Sequence, residues 1–220
     1  MLLVRHGETL WNERRLLQGR TDIALCERGR EQAKVLSSAL TSIPFSSIYC
    51  SPLSRAKETA EILALPHGLT PIADQGFAEI SFGDWEGKSH ESLALEAGEE
   101  YAQWIIKPTE VTVAGAERLE EAQTRAMRSL DKIVRENKKR VLVVVGHGGI
   151  NRVILLSLLE ADLGAFWRMR QDTTCVNLIE FSDDIPRISL LNCTAHFKTD
   201  YTQIVKSAMS RNRIPLEDHS

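Results

Sequence analysis

Residues 1–4 form an unbroken apolar run, Met-Leu-Leu-Val, that stops at Arg5-His6-Gly7. A run this short predicts a buried strand emptying into a loop. Between residues 27 and 40 the period changes, with Ala33, Leu36 and Leu40 at helical spacing and Pro44 closing the segment. Residues 47–50 read as a second short strand, Ser51-Pro52 as its end, and 55–63 as a helix. Residues 72–74 read as a further short strand, and the glycine- and aromatic-rich stretch 77–87 as a loop. Residues 91–106 are helix-prone and mostly polar, and 108–115 break the chain. Leu119, Ala122, Ala126, Leu130 and Ile133 then fall on one face of a long amphipathic helix over 116–137. The apolar run at 141–145 suits the centre of a parallel sheet covered on both faces. Gly146-His147-Gly148-Gly149 leads from it into a helix over 150–159. Two late strands are predicted over 176–181 and 185–191, turned at Asp183-Asp184, and the polar stretch 198–220 reads as a helix with a frayed tail.

Strands alternating with helices predict the α/β class with a mostly parallel central sheet. No repeat, low-complexity tract or linker divides the chain, so a single domain over 1–220 is expected. The segment from about 83 to 115 interrupts the alternation and is expected to be an insertion over the active-site edge.

Composition narrows the function by exclusion. Hydrophobic residues make up 43% and charged residues 26%, an ordinary globular balance. A net charge of −3 gives no global attraction to nucleic acid or to an anionic membrane, so an anionic substrate needs a local cationic site. No apolar run approaches a membrane span, and Arg5 comes too soon for a signal-peptide core. A cytoplasmic location is expected by default. Cys26, Cys50, Cys175 and Cys193 show no C-x-x-C pair or metal-ligand spacing and read as small buried hydrophobes in a reducing compartment.

The chemistry is sought where open α/β sheets bind ligands, beyond the carboxyl ends of the strands. Arg5 and His6 follow the first predicted strand, Arg55 follows the second, and His147 follows the 141–145 run. Two arginines and two histidines converging on one edge suit a phosphate. Arginine presents a planar fork to phosphate oxygens, and a neutral imidazole can attack phosphorus to give a hydrolysable phosphohistidine. The leaving oxygen needs a proton, and Glu79, at the start of the aromatic loop, is the candidate acid, desolvated by that loop. The scheme needs no metal and no cofactor, and H-E-x-x-H, P-loop lysine and G-x-S-x-G motifs are absent. Taken singly, Arg5-His6-Gly7 is a strand end, Arg55 a solvated charge, Glu79 a surface carboxylate and the 146–149 segment a tight turn. Their coincidence at one edge carries the argument. Trp85, Trp104 and Trp167 read as core or pocket walls, and Lys138-Lys139-Arg140 as a helix end meeting its macrodipole.

Leu3-Val-Arg-His-Gly-Glu-Thr-Leu-Trp-Asn12, Gln18-Gly-Arg-Thr-Asp22, Ser51-Pro-Leu-Ser-Arg-Ala-Lys-Glu-Thr-Ala60, Glu79 with Phe82-Gly-Asp-Trp-Glu-Gly87, and Val145-Gly-His-Gly-Gly149 run in register along most of the chain. As a set they resemble the histidine phosphatase superfamily, in the branch holding cofactor-dependent phosphoglycerate mutases and related phosphatases. The resemblance implies a phosphoglycerate mutase-like, three-layer α/β/α sandwich. It implies His6 as the phosphorylated nucleophile, Glu79 as the acid, and Arg5, Arg55 and His147 around the phosphoryl group. Asn12, Gln18, Gly19 and Gly148 of the same motifs are the candidate substrate-binding residues. Arg118 joins them as a departure: it stands where many relatives have a helix-capping serine, losing that cap and bringing a cation near the pocket. Only four residues precede Arg5, fewer than in relatives, so the chain is expected to start upstream or to have a clipped first strand.

The loop Gly83-Asp-Trp-Glu-Gly87 resembles that of α-ribazole and broad-specificity sugar-phosphate phosphatases rather than the longer basic insert of the mutases. The expected activity is therefore hydrolysis of a small phosphorylated metabolite. A phosphoglycerate mutase is the first alternative. The second is a non-catalytic phospho-ligand binding module, against which the presence of all five catalytic candidates counts. Oligomeric state stays open, a homodimer included.

Overall fold

The computed structural model describes residues 1–138, 140–182 and 185–197. The expected turn at Asp183-Asp184 and the expected helix over 198–220 lie outside the described residues. A six-stranded sheet is formed by β1 (Leu2–Arg5), β2 (Phe45–Cys50), β3 (Ile72–Ala73), β4 (Val141–Gly146), β5 (Val176–Ser182) and β6 (Ile185–Cys193), in the order β3-β2-β4-β1-β5-β6. β1 to β4 pair in parallel, while β5 runs antiparallel to β1 and β6 antiparallel to β5. The sheet is mixed, parallel through its centre and antiparallel along one flank.

Alternation along the central strands sends side chains to two cores. Leu2, Val4, Val143 and Val145 pack with Leu36 of α2 (Glu27–Leu40) and with Ala56, Ala60 and Leu63 of α3 (Ser54–Ala64). Leu3, Leu142 and Val144 face the other way, onto α6 (Leu119–Glu136) and α7 (Gly148–Leu158). Burial on both faces explains why the 141–145 run has no polar alternation. Helices on both sides of the sheet make the fold a three-layer α/β/α sandwich. Each fully buried aliphatic side chain in these layers stabilises it by about 1.5–3 kcal/mol.

The segment after β3 departs from the sequence pattern in detail. The expected helix over 91–106 is two helices, α4 (His90–Glu96) and α5 (Gly98–Ile106), because Gly98 adopts φ 26° at the join. Ser89 caps α4, its Oγ accepting the Ser92 N–H at 3.0 Å. A 3-10 turn at 75–77 leads into the 77–87 stretch and a second, at 83–85, lies within it. Leu17, Trp85, Leu93, Tyr101, Trp104 and Val113 form a satellite core that ties this segment to the body. The short helix α1 (Leu10–Glu13) and the 3-10 segment over 163–168 carried no apolar periodicity and were not expected.

Of the four cysteines, Cys50 and Cys175 are buried, while Cys26 and Cys193 are half-buried; all are free thiols. Burial pushes the Cys50 thiol up to about 11 and the Cys175 thiol up to about 12, which leaves both unreactive. Among the described residues, no helix is long and apolar enough to cross a membrane.

Candidate active site

Neighbouring parallel strands deliver the two histidines. Arg5 of β1 pairs with Gly146 of β4, so the residues that follow, His6 and His147, leave the sheet side by side. The His6 N–H donates to the Gly146 carbonyl at 3.1 Å, and the Thr174 N–H donates to the His6 carbonyl at 3.2 Å. The two rings lie edge to face, 5.0 Å apart. The turn after β2 opens α3, whose second residue is Arg55, fully buried.

Hydrogen bonds fix complementary tautomers on the two rings. His6 Nδ1 lies 2.6 Å from the Gly7 carbonyl, which only accepts, so Nδ1 carries the proton and Nε2 keeps a free lone pair. His147 Nδ1 lies 3.1 Å from Arg55 Nε, which only donates, so the His147 proton sits on Nε2. That Nε2 is buried without a protein partner, as is Arg5 Nε. One ring thus offers a nucleophilic nitrogen and its neighbour offers a donor.

Both imidazoles are neutral at physiological pH. Burial, then the charges of Arg55 and Arg5, hold His6 well below the ordinary histidine range. Burial, then Arg55, His6 and Arg5, do the same for His147. Arg55 is lowered to about 10, chiefly by burial, and remains charged. Its guanidinium also donates to the Thr21 carbonyl at 2.9 Å and the Gly19 carbonyl at 2.7 Å. Five N–H groups are available to an arginine, so two remain for a ligand. Arg5 Nη1 donates to the Gln171 carbonyl at 2.5 Å.

Glu79 is buried against the start of α7. Its Oε1 accepts the N–H groups of Ile80 at 3.0 Å and Ile150 at 2.8 Å, and its Oε2 accepts the Gly149 N–H at 3.0 Å. A carboxylate suits the positive end of a helix. These bonds saturate Oε1 and leave one lone pair on Oε2. Arg125 of α6 clamps the chain that leads to Glu79. Its guanidinium donates to the carbonyls of Gly76 at 2.9 Å, Ala78 at 2.9 Å and Glu79 at 3.2 Å. Glu117 holds that guanidinium by contacts of 2.6 and 2.8 Å.

The remaining sequence candidates occupy distinct places. Gly19 has φ 52°, and a Cβ there would come within 1.9 Å of Glu86 Oε1. Gly148 opens α7 against Arg5, with an added Cβ 3.4 Å from Arg5 Nε. Gln18 is buried with Oε1 unpartnered. Asn12 closes a capping box on α1, its Oδ1 accepting the Thr9 N–H at 3.1 Å. Arg118 caps α6 on the surface with its guanidinium toward Glu120 at 3.4 Å, and no described contact joins it to the histidines.

Sequence reasoning missed Arg125, Glu86 and Arg152. Glu86 accepts the N–H groups of Arg20 at 3.0 Å, Thr21 at 3.0 Å and Phe82 at 3.1 Å, bracing the loop that carries Gly19. Burial alone would raise its carboxyl, but bonds from Thr21, Arg20 and Phe82 outweigh it and hold the group below its usual range. Arg152 lies one turn beyond Gly148 on α7, its Nε donating to the Met169 carbonyl at 2.7 Å.

Among the described residues, no group of three His, Cys, Asp or Glu side chains is arranged to hold a metal ion. Two arginines and two neutral histidines gathered at the strand ends of this sandwich suit the handling of a phosphoryl group. The chain belongs to the histidine phosphatase superfamily (branch 1), whose family model matches residues 1–194. It is 31% identical over 207 residues to phosphoserine phosphatase 1 of Hydrogenobacter thermophilus, covering 94% of this chain and 98% of that one. It is 29% identical over 202 residues to the adenosylcobalamin/alpha-ribazole phosphatase of Salmonella typhimurium, covering 90% and 98%. The fold superposes on Bacillus stearothermophilus YhfR with a TM-score of 0.84 at 29% identity, covering 89% and 97%. It superposes on a phosphoserine phosphatase from Entamoeba histolytica, solved with phosphoserine, with a TM-score of 0.79 at 28% identity, covering 89% and 97%. The chain is a phosphatase.

Proposed function

We propose that this phosphatase hydrolyses phosphomonoesters in two steps, through a phosphohistidine on Nε2 of His6. The observation that carries the reading is the pair of complementary tautomers, a free lone pair on His6 beside an unpartnered Nε2–H on His147. In the first step His6 Nε2 bonds to phosphorus while the ester P–O bond breaks, and the leaving oxygen takes a proton from Glu79. In the second, water attacks phosphorus, the N–P bond breaks and the nitrogen recovers its electron pair, while the water proton returns to Glu79. Oε2 is the atom suited to carry that proton, since Oε1 is saturated by two backbone donors. Arg5, Arg55 and the His147 Nε2–H neutralise charge on the equatorial oxygens in transit.

In this reading Asn12, Gln18, Gly19 and Gly148 bind the substrate around the phosphoryl group, supported by the Gly19 carbonyl on Arg55 and the close approach of Gly148 to Arg5, and the segment at about 83–115 meets the leaving group. No metal or cofactor enters the scheme. Relatives named for phosphoserine and alpha-ribazole phosphate support substrates of metabolite size.

The test is phosphate release from a panel of phosphomonoesters with chelator present, with His6→Ala run beside the native chain. Release should persist in chelator and fall by at least about 10⁴-fold in the variant, as expected for loss of a nucleophile. Unchanged release from His6→Ala, or complete loss on chelation, would sink the reading.

A further inference from the structure

Arg152 has no part in the two steps above, yet it lies beside the pocket. It stands one turn past Gly148 on α7, and positions four apart share a helix face. That face meets Arg5 at Gly148. Both arginines also grip one strap of chain: Arg5 Nη1 donates to the Gln171 carbonyl at 2.5 Å and Arg152 Nε to the Met169 carbonyl at 2.7 Å. Met169 is extended, with φ −112° and ψ 134°. Positions two apart on an extended chain lie about 7 Å apart on one side, which sets the scale between the two guanidinium sites.

The Arg152 guanidinium lies 4.9 Å from the Trp167 ring centroid and 5.3 Å from that of Phe166. The adjoining Trp167 Nε1 is buried without a partner. Among the described residues no carboxylate forms an ion pair with Arg152, and Asp172, on the neighbouring segment, contacts Arg170 at 2.8 Å. Burial, then the charge of Arg5, lowers Arg152 to about 10 against the opposing pull of Glu79 and Asp172, so it stays charged at neutral pH. This guanidinium is half-buried, Met169 takes its Nε–H, and the N–H groups on its two terminal nitrogens can meet a further acceptor. Arg5 is committed to the phosphoryl group, and Arg152 is fixed one step further along the same strap.

Resting on the phosphatase reading, we infer that Arg152 receives a second anionic group, a carboxylate or a phosphate, on the leaving portion of the substrate. Arg152 is then a specificity residue, with the Trp167 indole N–H as a second donor. The preferred esters carry an anion a few bonds from the ester oxygen. Neutral alcohol phosphates bind the same phosphoryl pocket but leave Arg152 unpaired.

Matched esters isolate this effect. 3-Phosphoglycerate and glycerol 3-phosphate differ by a carboxylate against a hydroxymethyl group, and glucose 1,6-bisphosphate and glucose 6-phosphate differ by the second phosphate. The native enzyme should favour the charged member of at least one pair by at least about tenfold in kcat/KM, the scale of one charged hydrogen bond. The favoured pair tells carboxylate from phosphate. Arg152→Met should erase the preference while changing kcat/KM on the neutral member by less than about threefold, and Arg152→Lys should restore part of it. Equal losses on both members, or no preference in the native enzyme, would overturn the inference. If no ester is hydrolysed, the phosphatase reading falls, and the same pairs are compared by calorimetric binding to the native chain and Arg152→Met. Equal affinities there overturn the role of Arg152, and a charge preference lost in the variant supports it.

Discussion

Around His6 the reactive side chains are buried and tied to main chain, whereas the segment from Trp85 to Arg118 holds its place by aromatic packing and surface charge. His6 is fixed through the Gly7 carbonyl, Arg55 through those of Gly19 and Thr21, and Glu79 through three N–H groups. Trp85 and Trp104, by contrast, meet edge to face at 5.3 Å, and Trp104 meets Trp167 at 4.7 Å. Backbone ties leave the floor little freedom, which suits a site that must be organised before charge develops. Packing between aromatic rings tolerates exchange of one apolar shape for another. The floor therefore fixes the reaction and the rim is free to select the leaving group.

The sharpest test of that division is Glu79→Gln. If Glu79 is the acid, kcat on alkyl phosphates should fall by about 10²–10⁴-fold, the usual worth of a positioned proton donor. On p-nitrophenyl phosphate, whose leaving group needs no proton, the fall should stay within about tenfold. Equal losses on both esters would instead make Glu79 an anchor for the start of α7, and the floor would lack an acid.

Arg125 tests whether the floor extends outward. It touches no reacting atom in the proposed scheme and acts through the 75–79 chain, so it is a positioning residue. Arg125→Gln should lower kcat by about 10- to 100-fold, the scale of a misplaced catalytic group. KM should change by less than about twofold, and the ratio of alkyl phosphate to p-nitrophenyl phosphate rates should fall as it does for Glu79→Gln. A fall in stability with no change in that ratio would confine Arg125 to the scaffold.

Acid offers a third test, smaller and confined to the floor. His6 and His147 are held well below 6.5 when folded and regain ordinary values when unfolded. Between the folded and unfolded values the unfolded chain binds more protons, so stability rises with pH in that window. The contribution is complete above about pH 6.5 and is lost progressively as pH falls below it. Denaturant melts from pH 7.5 to 5 should show this loss, and His147→Gln should flatten the slope. Catalysis should show no inflection at 6.5 from His6, because its ring is already neutral there.

The same contrast governs what the sequence disclosed. His6, Arg55 and His147 were legible because each follows a strand, and strand ends of a parallel sheet share an edge. The strands themselves were legible because burial on both faces removes polar positions, as in the 141–145 run. Arg125, Glu86 and Arg152 were not legible, because their partners are carbonyls, N–H groups and ring faces that only tertiary packing brings near. Arg125 and Ala78 are 47 positions apart, and nothing local marks their contact. The break between α4 and α5 falls at Gly98, a single glycine among helix-prone neighbours on both sides.

Arg118 marks where rim gives way to surface, and it carries the smallest expected effect. It caps α6 with extended backbone, φ −72° and ψ 148°. Glu121 Oε2 accepts the Arg118 N–H at 3.1 Å, which is half of a capping box. A guanidinium has no acceptor, so its side chain cannot supply the other half. Arg118→Ser should supply it and stabilise the fold by about 0.5–1 kcal/mol. The exposed contact with Glu120 that it removes contributes little. Melting should rise by about 1–4 °C for a chain of this size. Activity should hold within about twofold on every ester, charged or neutral, since the described guanidinium contact is with Glu120. A variant that melts higher but loses kcat/KM on anionic esters would move Arg118 into the rim beside Arg152, and leaving-group selection would then draw on α6 as well as α7.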